Sequence, residues 1–219
     1  EDFYSIRQML GSKFECVISD AAGNRERMAF FYRKAKVTML EEVAELAIPP
    51  SDYKNIKLPD VTGTFSGFDR SPFMVSFRVK NYEFCLLNVH LFYGSESKPS
   101  IDRRCLETFC VSRWAKLRSK SKYSYTTNVF AMGDFNLPKR DDKDAVYKAL
   151  VSNGLLLPEH TSQVYSNITD DKAYDQIAFL PGEKSRVLSH GIFDFDGAVF
   201  ADLYESKTKV QFRSYLRYY

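Results

Sequence analysis

Residues 128–136 read NVFAMGDFN, and this stretch decides how the fold is interpreted. Its apolar run, 129–132, is typical of a buried strand and is followed by Asp134 and Asn136. In an extended chain, residues two apart point to the same side, so these two polar side chains should face a common spot while Phe135 points into the core. A carboxylate and an amide that leave a buried strand together indicate a functional site.

The composition indicates one globular domain. The chain has 219 residues, of which 44% are hydrophobic and 27% are charged, and this is enough chain for one sizeable core. No linker rich in Pro, Gly or Ser divides it, so we expect a single domain over residues 1–219 and a monomer. The net charge of +3 permits a polyanionic partner without demanding one. No apolar stretch approaches the length of a membrane span.

One stretch, RWAKLRSKSKYSYTTN at 113–128, carries basic charges only. It fits a solvated helix face and loop as well as it fits a patch that contacts phosphate groups, and the sequence does not separate the two. The basic residues are Arg113, Lys116, Arg118, Lys120 and Lys122.

The four cysteines favour no metal site and no disulfide framework, because no CxxC pair occurs. We expect them to be buried free thiols. They are Cys16, Cys85, Cys105 and Cys110.

Apolar patterns predict strands that alternate with helices. Strands are expected over 14–19, 26–33, 72–79, 82–92 and 173–180. A helix should end at Gly11, and a long one should start near Ser100. A third helix, within 141–154, should be capped by Asp141 or Asp142. The buried stripe of the long helix is expected to comprise Leu106, Phe109, Cys110, Trp114 and Leu117.

This order of elements indicates a mixed α/β protein. Two sheets packed face to face with helices outside would explain strands that are apolar at nearly every position.

Polar residues stand at four strand ends where core residues would be expected. Asp and Glu are rarely buried without a partner, so we expect these strand ends to converge on one rim. A His, a Glu, two Asp and an Asn are the parts needed for metal-assisted hydrolysis, and they also suit general acid–base chemistry. A lone His here would more often be a satisfied core residue. The set comprises Glu26, His90, Asp134 with Asn136, and Asp175.

Motifs around these residues resemble the endonuclease/exonuclease/phosphatase superfamily, and its deoxyribonuclease I-like branch above all. The likeness covers residues from about 15 to 219. GDFN alone is moderately specific, whereas the ordered set is strongly so. The motifs are NRERMAFFYR (24–33), FDRSPFMVSF (68–77), NVHL (88–91), MGDFN (132–136), AYDQI (173–177) and GIFDFDG (191–197).

The resemblance implies a four-layer α/β/β/α sandwich of two mixed, mainly antiparallel sheets. It implies that His90 is the general acid or base and that Glu26 hydrogen-bonds its ring and fixes its tautomer. It also implies that Arg70 clamps a substrate phosphate, a task that suits a bidentate guanidinium better than an ammonium group.

The remaining roles concern water and metal. By the resemblance, Asp134 orients or activates the attacking water, Asn136 positions water or a phosphate oxygen, and Asp175 completes the site beside the phosphate. Mg²⁺ or Mn²⁺, with Ca²⁺ as a further candidate, would relieve charge on the phosphate oxygens. No thiolate or histidine cluster suits zinc. We assign no metal ligand, because the glutamate that serves the family in this role has no counterpart in the sequence.

The sequence departs from the family pattern at both ends. The family begins with a strand carrying Asn, then a helix and a strand that ends in Gln-Glu, and it closes with Ser-Asp-His. None of these segments is found here, and His160 and His190 stand in other contexts. We therefore expect a piece of a longer protein, truncated at both ends, lacking the first and last core segments of the fold and inactive alone. A naturally inactive homologue is the alternative.

The function expected from these features is metal-dependent phosphodiester hydrolysis, in the form of a deoxyribonuclease I-like endonuclease that contacts the DNA backbone. A phosphatase or a sphingomyelinase-like lipid phosphodiesterase is an alternative from the same chemistry. A catalytically inactive binding module of this fold is an alternative from another class. The sequence does not indicate a cellular location.

Overall fold

The computed structural model describes residues 2–23, 25–159, 165–167 and 169–193. Three α-helices occur in this part of the chain: α1 (Asp2–Leu10), α2 (Lys98–Arg118) and α3 (Ala145–Val151). Short 3₁₀ helices span Pro50–Asn55 and Pro181–Arg186. The strands are β1 (Phe14–Ile18), β2 (Ala29–Arg33), β3 (Thr38–Glu45), β4 (Phe73–Val79), β5 (Tyr82–His90), β6 (Val129–Asp134) and β7 (Asp175–Phe179).

The strands form two sheets. β1 and β2 pair as an antiparallel hairpin, and the larger sheet has the strand order β3-β4-β5-β6-β7. Within the larger sheet only β5 and β6 are parallel, and α2 makes the crossover between them. The predicted mixed, mainly antiparallel sheets are therefore confirmed.

The larger sheet is apolar on both faces. Leu87 and Val89 of β5 belong to a core that includes buried residues of α2 and α3. Leu86, on the opposite face of the same strand, packs in a second cluster with Phe30 of β2. Because side chains alternate along a strand, the two helices and the small sheet cover opposite faces of the larger sheet.

The first helix covers the outer side of the small sheet. Phe30 faces the larger sheet, where its ring lies 5.8 Å from Phe73 and 5.7 Å from Phe77. The next residue, Phe31, points the other way and its ring lies 6.2 Å from Phe3 of α1. These contacts order the elements as helix, small sheet, large sheet and helices.

Several predicted boundaries shift. β2 begins at Ala29 rather than at 26, and Glu26 instead makes an isolated bridge with Ala22. β5 ends at His90, two residues earlier than expected. β3 has no counterpart among the predicted strands, because its apolar residues are interrupted by glutamates and most of its side chains are exposed.

The helices differ in their caps and faces. The cap of α3 is Asp144, whose carboxylate accepts the N–H groups of Val146 and Tyr147 at 2.9 Å, so the expectation of Asp141 or Asp142 was wrong. Leu117, expected in the buried stripe of α2, is 52% exposed. Leu106 and Cys110 are buried, as predicted, and the buried face of α2 is also rich in polar residues.

The cysteines are free thiols, as predicted. Cys85, Cys105 and Cys110 are buried, whereas Cys16 is half-buried. Burial raises the pKa of Cys85 to about 11 and those of Cys105 and Cys110 to about 12. No described helix has both the length and the apolar character that crossing a bilayer requires.

Gly133 allows β5 and β6 to approach each other, which leads to a prediction about stability. Its φ is +125°, and a Cβ there would lie 2.2 Å from the carbonyl oxygen of Val89. Gly133→Ala should lower the free energy of unfolding by at least about 2 kcal/mol, from backbone strain and overpacking together, as measured by urea denaturation.

Gly154→Ala is the matched control. Gly154 also has a positive φ, +93°, but a Cβ there would meet nothing within 4 Å. Its alanine variant reports strain alone and should lose less stability. Equal losses for the two variants would show that the strand approach is not what requires Gly133.

Candidate active site

Strand register places three of the expected site residues side by side. His90 pairs with Asp134 across the parallel β5–β6 ladder, and Asp134 pairs with Asp175 across the antiparallel β6–β7 ladder. Paired residues on neighbouring strands project to the same face of a sheet. The three side chains therefore form a row along one edge, as the convergence of strand ends predicted.

The imidazole of His90 lies between two carboxylates. Its Nδ1 is 2.5 Å from Oε2 of Glu26, which comes from the loop between β1 and β2. Its Nε2 is 3.7 Å from Oδ2 of Asp134. An ionised carboxylate can only accept, so Nδ1–H donates to Glu26 and Nε2 is left to face Asp134. The expected contact between Glu26 and His90 is present; their catalytic roles stay predictions.

The two aspartates of the row have raised pKa values. Burial is the main cause of the raised pKa of Asp134, and the N–H of Asn136 and the charge of His90 oppose it. Asp175 is exposed to solvent, but partial burial is the main cause of its raised pKa. The neighbouring Asp134 carboxylate raises that pKa further. Ser166 opposes this shift through a hydrogen bond. A cation between the two aspartates would reduce their repulsion.

Asn136 is placed differently from the prediction. The strand ends at Asp134, and Asn136 adopts a φ of +49°, so the two side chains do not follow the rule for an extended chain. The backbone N–H of Asn136 donates to Oδ1 of Asp134 at 2.7 Å. Its buried Nδ2 donates to the carbonyl of Leu91 at 2.7 Å. Asn136 thus fixes the turn after β6, and a direct contact with substrate stays a prediction. Phe135 is fully buried, as expected.

Arg70 is also engaged by the protein itself. Its buried guanidinium donates from Nε to the carbonyl of His90 at 2.9 Å and from Nη2 to the carbonyl of Leu91 at 3.0 Å. Its Nη1 lies 3.3 Å from Asp69, and its Nε lies 3.7 Å from Glu26. Arg70 therefore supports the end of β5 beside the imidazole. The phosphate clamp that the resemblance implied stays a prediction.

Two further charged residues beneath the site were missed in the sequence. Arg104 of α2 is fully buried and donates to the carbonyls of Tyr93 at 2.7 Å and Ser95 at 3.2 Å, and more weakly to that of Asn136 at 3.5 Å. Glu107, also fully buried, accepts backbone N–H groups from two loops. Their spacing of three in a helix was the available signal, but solvated charges on an exposed face show the same spacing.

The basic stretch of α2 lies away from the site. Its first arginine, Arg113, pairs with Asp52 at 2.8 Å, and Arg118 pairs with Glu42 at 2.5 Å. α2 returns from the end of β5 to the start of β6, so it carries this stretch to the edge of the sheet opposite the row of site residues. Lys116, Lys120 and Lys122 are exposed there.

The remaining histidine positions do not join the site in the described part of the chain. His190 is exposed, and its ring contacts the carbonyl of Glu159. His160 and the residues 194–197 of the GIFDFDG motif lie outside the described residues.

The described residues offer only part of a metal site. Among them, no group of three or more His, Cys, Asp or Glu side chains is arranged to hold an ion. Asp134 and Asp175 could each contribute a carboxylate oxygen, the ligand type that Mg²⁺ and Mn²⁺ prefer. Two carboxylates fall short of a full coordination shell, so these residues alone do not define the ion.

Comparison with known proteins identifies the fold. No family model matches the sequence, and no curated protein matches it. The human Nocturnin catalytic domain with bound sulfate anion is similar over 82% of this chain and 66% of that chain, with 12% identity and a TM-score of 0.53. A mannosyl-6-phosphatase from Bacteroides thetaiotaomicron is similar over 78% of this chain and 64% of that chain, with 19% identity and a TM-score of 0.51.

A third structure, an endonuclease/exonuclease/phosphatase family protein from the same bacterium, is similar over 80% of this chain, with 18% identity and a TM-score of 0.50. The chain covers 63% of that structure, and thus slightly less than two thirds of each of the three. The chain has the endonuclease/exonuclease/phosphatase fold, as the motif resemblance implied.

The carboxylate pair predicts a pH-dependent effect on stability. A raised pKa in the folded state means that ionised Asp175 opposes folding, fully above its folded pKa and not at all once pH falls well below the ordinary value of 3.8. Asp175→Asn should therefore raise the free energy of unfolding at pH 7, and the gain should vanish toward pH 3. Urea denaturation with a chelator present measures both.

Asp142→Asn, which removes an exposed carboxylate outside the site, is the control and should show no such gain. If Asp175→Asn were destabilising at pH 7, Asp175 would be held as a stabilising anion and the repulsion argument would fail.

Proposed function

We propose that the full-length protein is a metal-dependent phosphodiesterase, specifically a deoxyribonuclease I-like endonuclease that hydrolyses DNA. The observation that carries this proposal is the imidazole of His90, held by Glu26 at 2.5 Å and facing Asp134 at 3.7 Å on the edge of the larger sheet. A histidine with one nitrogen fixed by a carboxylate and the other directed at a second acid is arranged for proton transfer.

The geometry suggests separate roles for His90 and Asp134 in hydrolysis. The reaction needs a water positioned for in-line attack and a proton for the departing oxygen. Glu26 accepts the Nδ1–H, so Nε2 of His90 is the atom that exchanges a proton with the reacting groups. Asp134, with its raised pKa, lies where it can orient the attacking water and accept its proton.

A divalent cation would supply charge relief on the phosphate oxygens. Asp134 and Asp175 are the described residues that would contribute to holding it, and their mutual repulsion favours a cation between them. Water and residues outside the described part of the chain would supply further ligands. We propose Mg²⁺ or Mn²⁺ and keep Ca²⁺ as a further candidate.

The likenesses support phosphoester chemistry more broadly than they support DNA. One similar structure is a mannosyl-6-phosphatase, and another was solved with a bound sulfate anion, which is tetrahedral like phosphate. A phosphomonoesterase is therefore the second candidate. The deoxyribonuclease I-like motif order around Arg70, His90 and Asp175 is what favours DNA.

An inactive binding module is the alternative from another class. Such a module has no need for two neighbouring aspartates with raised pKa values, because carboxylates whose pKa is raised by burial and by a like charge cost folding free energy. Their presence in one row supports an enzyme.

The first test concerns His90. In the full-length protein, His90→Ala should lower kcat by about a hundredfold or more, the usual contribution of a positioned general acid or base, and should change DNA affinity little. Glu26→Gln should give a smaller loss, because it keeps a hydrogen-bonding partner but removes the charge. Turnover per folded molecule and Tm are measured on the same samples. A destabilised His90→Ala with undiminished turnover would remove His90 from the mechanism.

The second test concerns metal and substrate. Hydrolysis should require Mg²⁺ or Mn²⁺, stop on addition of a chelator and fall steeply with salt, because contacts to backbone phosphates dominate. Duplex DNA, a phosphoinositide, sphingomyelin and a sugar phosphate are compared at equal concentrations. A preference for either lipid or for the sugar phosphate would contradict the endonuclease proposal and leave the phosphoesterase proposal standing.

A further inference from the structure

We propose that Glu107 of α2 is a positioning residue of the active site, which sets the backbone that carries His90. The catalytic part of this proposal rests on the proposed function. Glu107 is fully buried, and its two carboxylate oxygens accept hydrogen bonds from two separate segments. Oε1 accepts the N–H of Asp69 at 3.1 Å, and Oε2 accepts the N–H of Phe92 at 3.0 Å.

These two segments are the ones that support the imidazole. Phe92 is two residues after His90, and Asp69 directly precedes Arg70. Arg70 connects the two segments a second time, because it donates to the carbonyls of His90 at 2.9 Å and Leu91 at 3.0 Å. The carboxylate of Glu107 and the guanidinium of Arg70 thus tie the same two segments together, one through N–H groups and the other through carbonyls.

Arg103 completes this arrangement from the solvent side. Its Nε lies 3.3 Å from Glu107, and its Nη2 lies 3.2 Å from Asp69. Its guanidinium also stacks 4.1 Å over the ring of Phe92. Arg103 therefore contacts Glu107 and both residues that Glu107 holds, and it partly neutralises the buried charge.

A buried carboxylate is a costly way to fill space. Burial raises the pKa of Glu107, and the two N–H donors and Arg103 only partly offset this. An apolar side chain would pack between helix and loops without that penalty. What an apolar side chain could not do is fix two backbone N–H groups from different segments at a defined separation.

That separation matters for the proton transfer. The distances from His90 to Glu26 and to Asp134, 2.5 Å and 3.7 Å, are set by where the end of β5 lies. A misplacement of about 1 Å can lower a rate about a hundredfold, even when its origin is remote from the reacting atoms. Glu107 contacts no reacting group, so its influence should appear in turnover rather than in substrate binding.

The test is Glu107→Gln in the full-length protein. Glutamine keeps one acceptor oxygen but places an NH₂ group against the second backbone N–H. We expect kcat to fall by about tenfold to a hundredfold, with KM changed by less than about threefold. Assays are run well below Tm, and rates are expressed per folded molecule.

Thr108→Val is the matched control. Thr108 is the next residue on the same buried helix, and within the described residues its hydroxyl has no hydrogen-bond partner. The change keeps the shape of the side chain and removes no hydrogen bond to either loop segment. It should leave kcat unchanged, whatever it does to Tm.

A second readout does not depend on activity. The protein has three histidines, so the Nδ1 proton of His90 can be followed by NMR and assigned by its loss in His90→Ala. Its hydrogen bond to Glu26 should give a downfield resonance, which Glu107→Gln shifts or broadens and Thr108→Val preserves. If wild-type protein hydrolysed no phosphoester, the proposed function would fail while this resonance still tested the positioning.

If Glu107→Gln does not fold, Arg103→Met tests the same arrangement from the surface and should shift the same resonance. A folded Glu107→Gln, or in its place Arg103→Met, with an unaltered His90 resonance would overturn the proposal. So would a Glu107→Gln whose loss of activity lies in KM alone.

Discussion

The register of β5, β6 and β7 is the constraint on which the site depends. It places His90, Asp134 and Asp175 at paired positions on three adjacent strands. A slip of one residue in any of these ladders would turn one of these side chains to the opposite face of the sheet. The backbone contact between Gly133 and β5 makes such a slip costly, because only glycine fits so close to Val89.

The small sheet supplies the carboxylate that contacts His90. Glu26 reaches His90 from the loop of the β1–β2 hairpin, so their contact spans the interface between the sheets. Phe30 packs against Phe73 and Phe77 in that interface. These apolar contacts thus hold the β1–β2 hairpin, and with it the carboxylate of Glu26, against the larger sheet. On the other side, Arg104 and Glu107 of α2 bind the loops after β5 and β6 and the segment before β4.

The sequence predicted those parts of the fold that depend on local pattern. β4, β5 and β6 have apolar runs long enough to identify, and polar residues at their ends located His90 and Asp134. The placement of Asn136 could not be predicted, because its positive φ depends on hydrogen bonds to Asp134 and Leu91. The burial of Arg104 and Glu107 could not be predicted either. Whether a long charged side chain on a helix is solvated or buried depends on which loops pack against it, and a local pattern does not contain that information.

The reactivity of the buried thiols can be used to measure how often the protein opens transiently. A thiol reacts with alkylating reagents as the thiolate, and the raised pKa values of Cys85, Cys105 and Cys110 leave almost none of that form in the closed state. Labelling must therefore proceed through transient openings, and its rate measures their frequency. Cys105 lies in the core cluster that α2 shares with the larger sheet, so its labelling rate records how often this helix separates from that sheet.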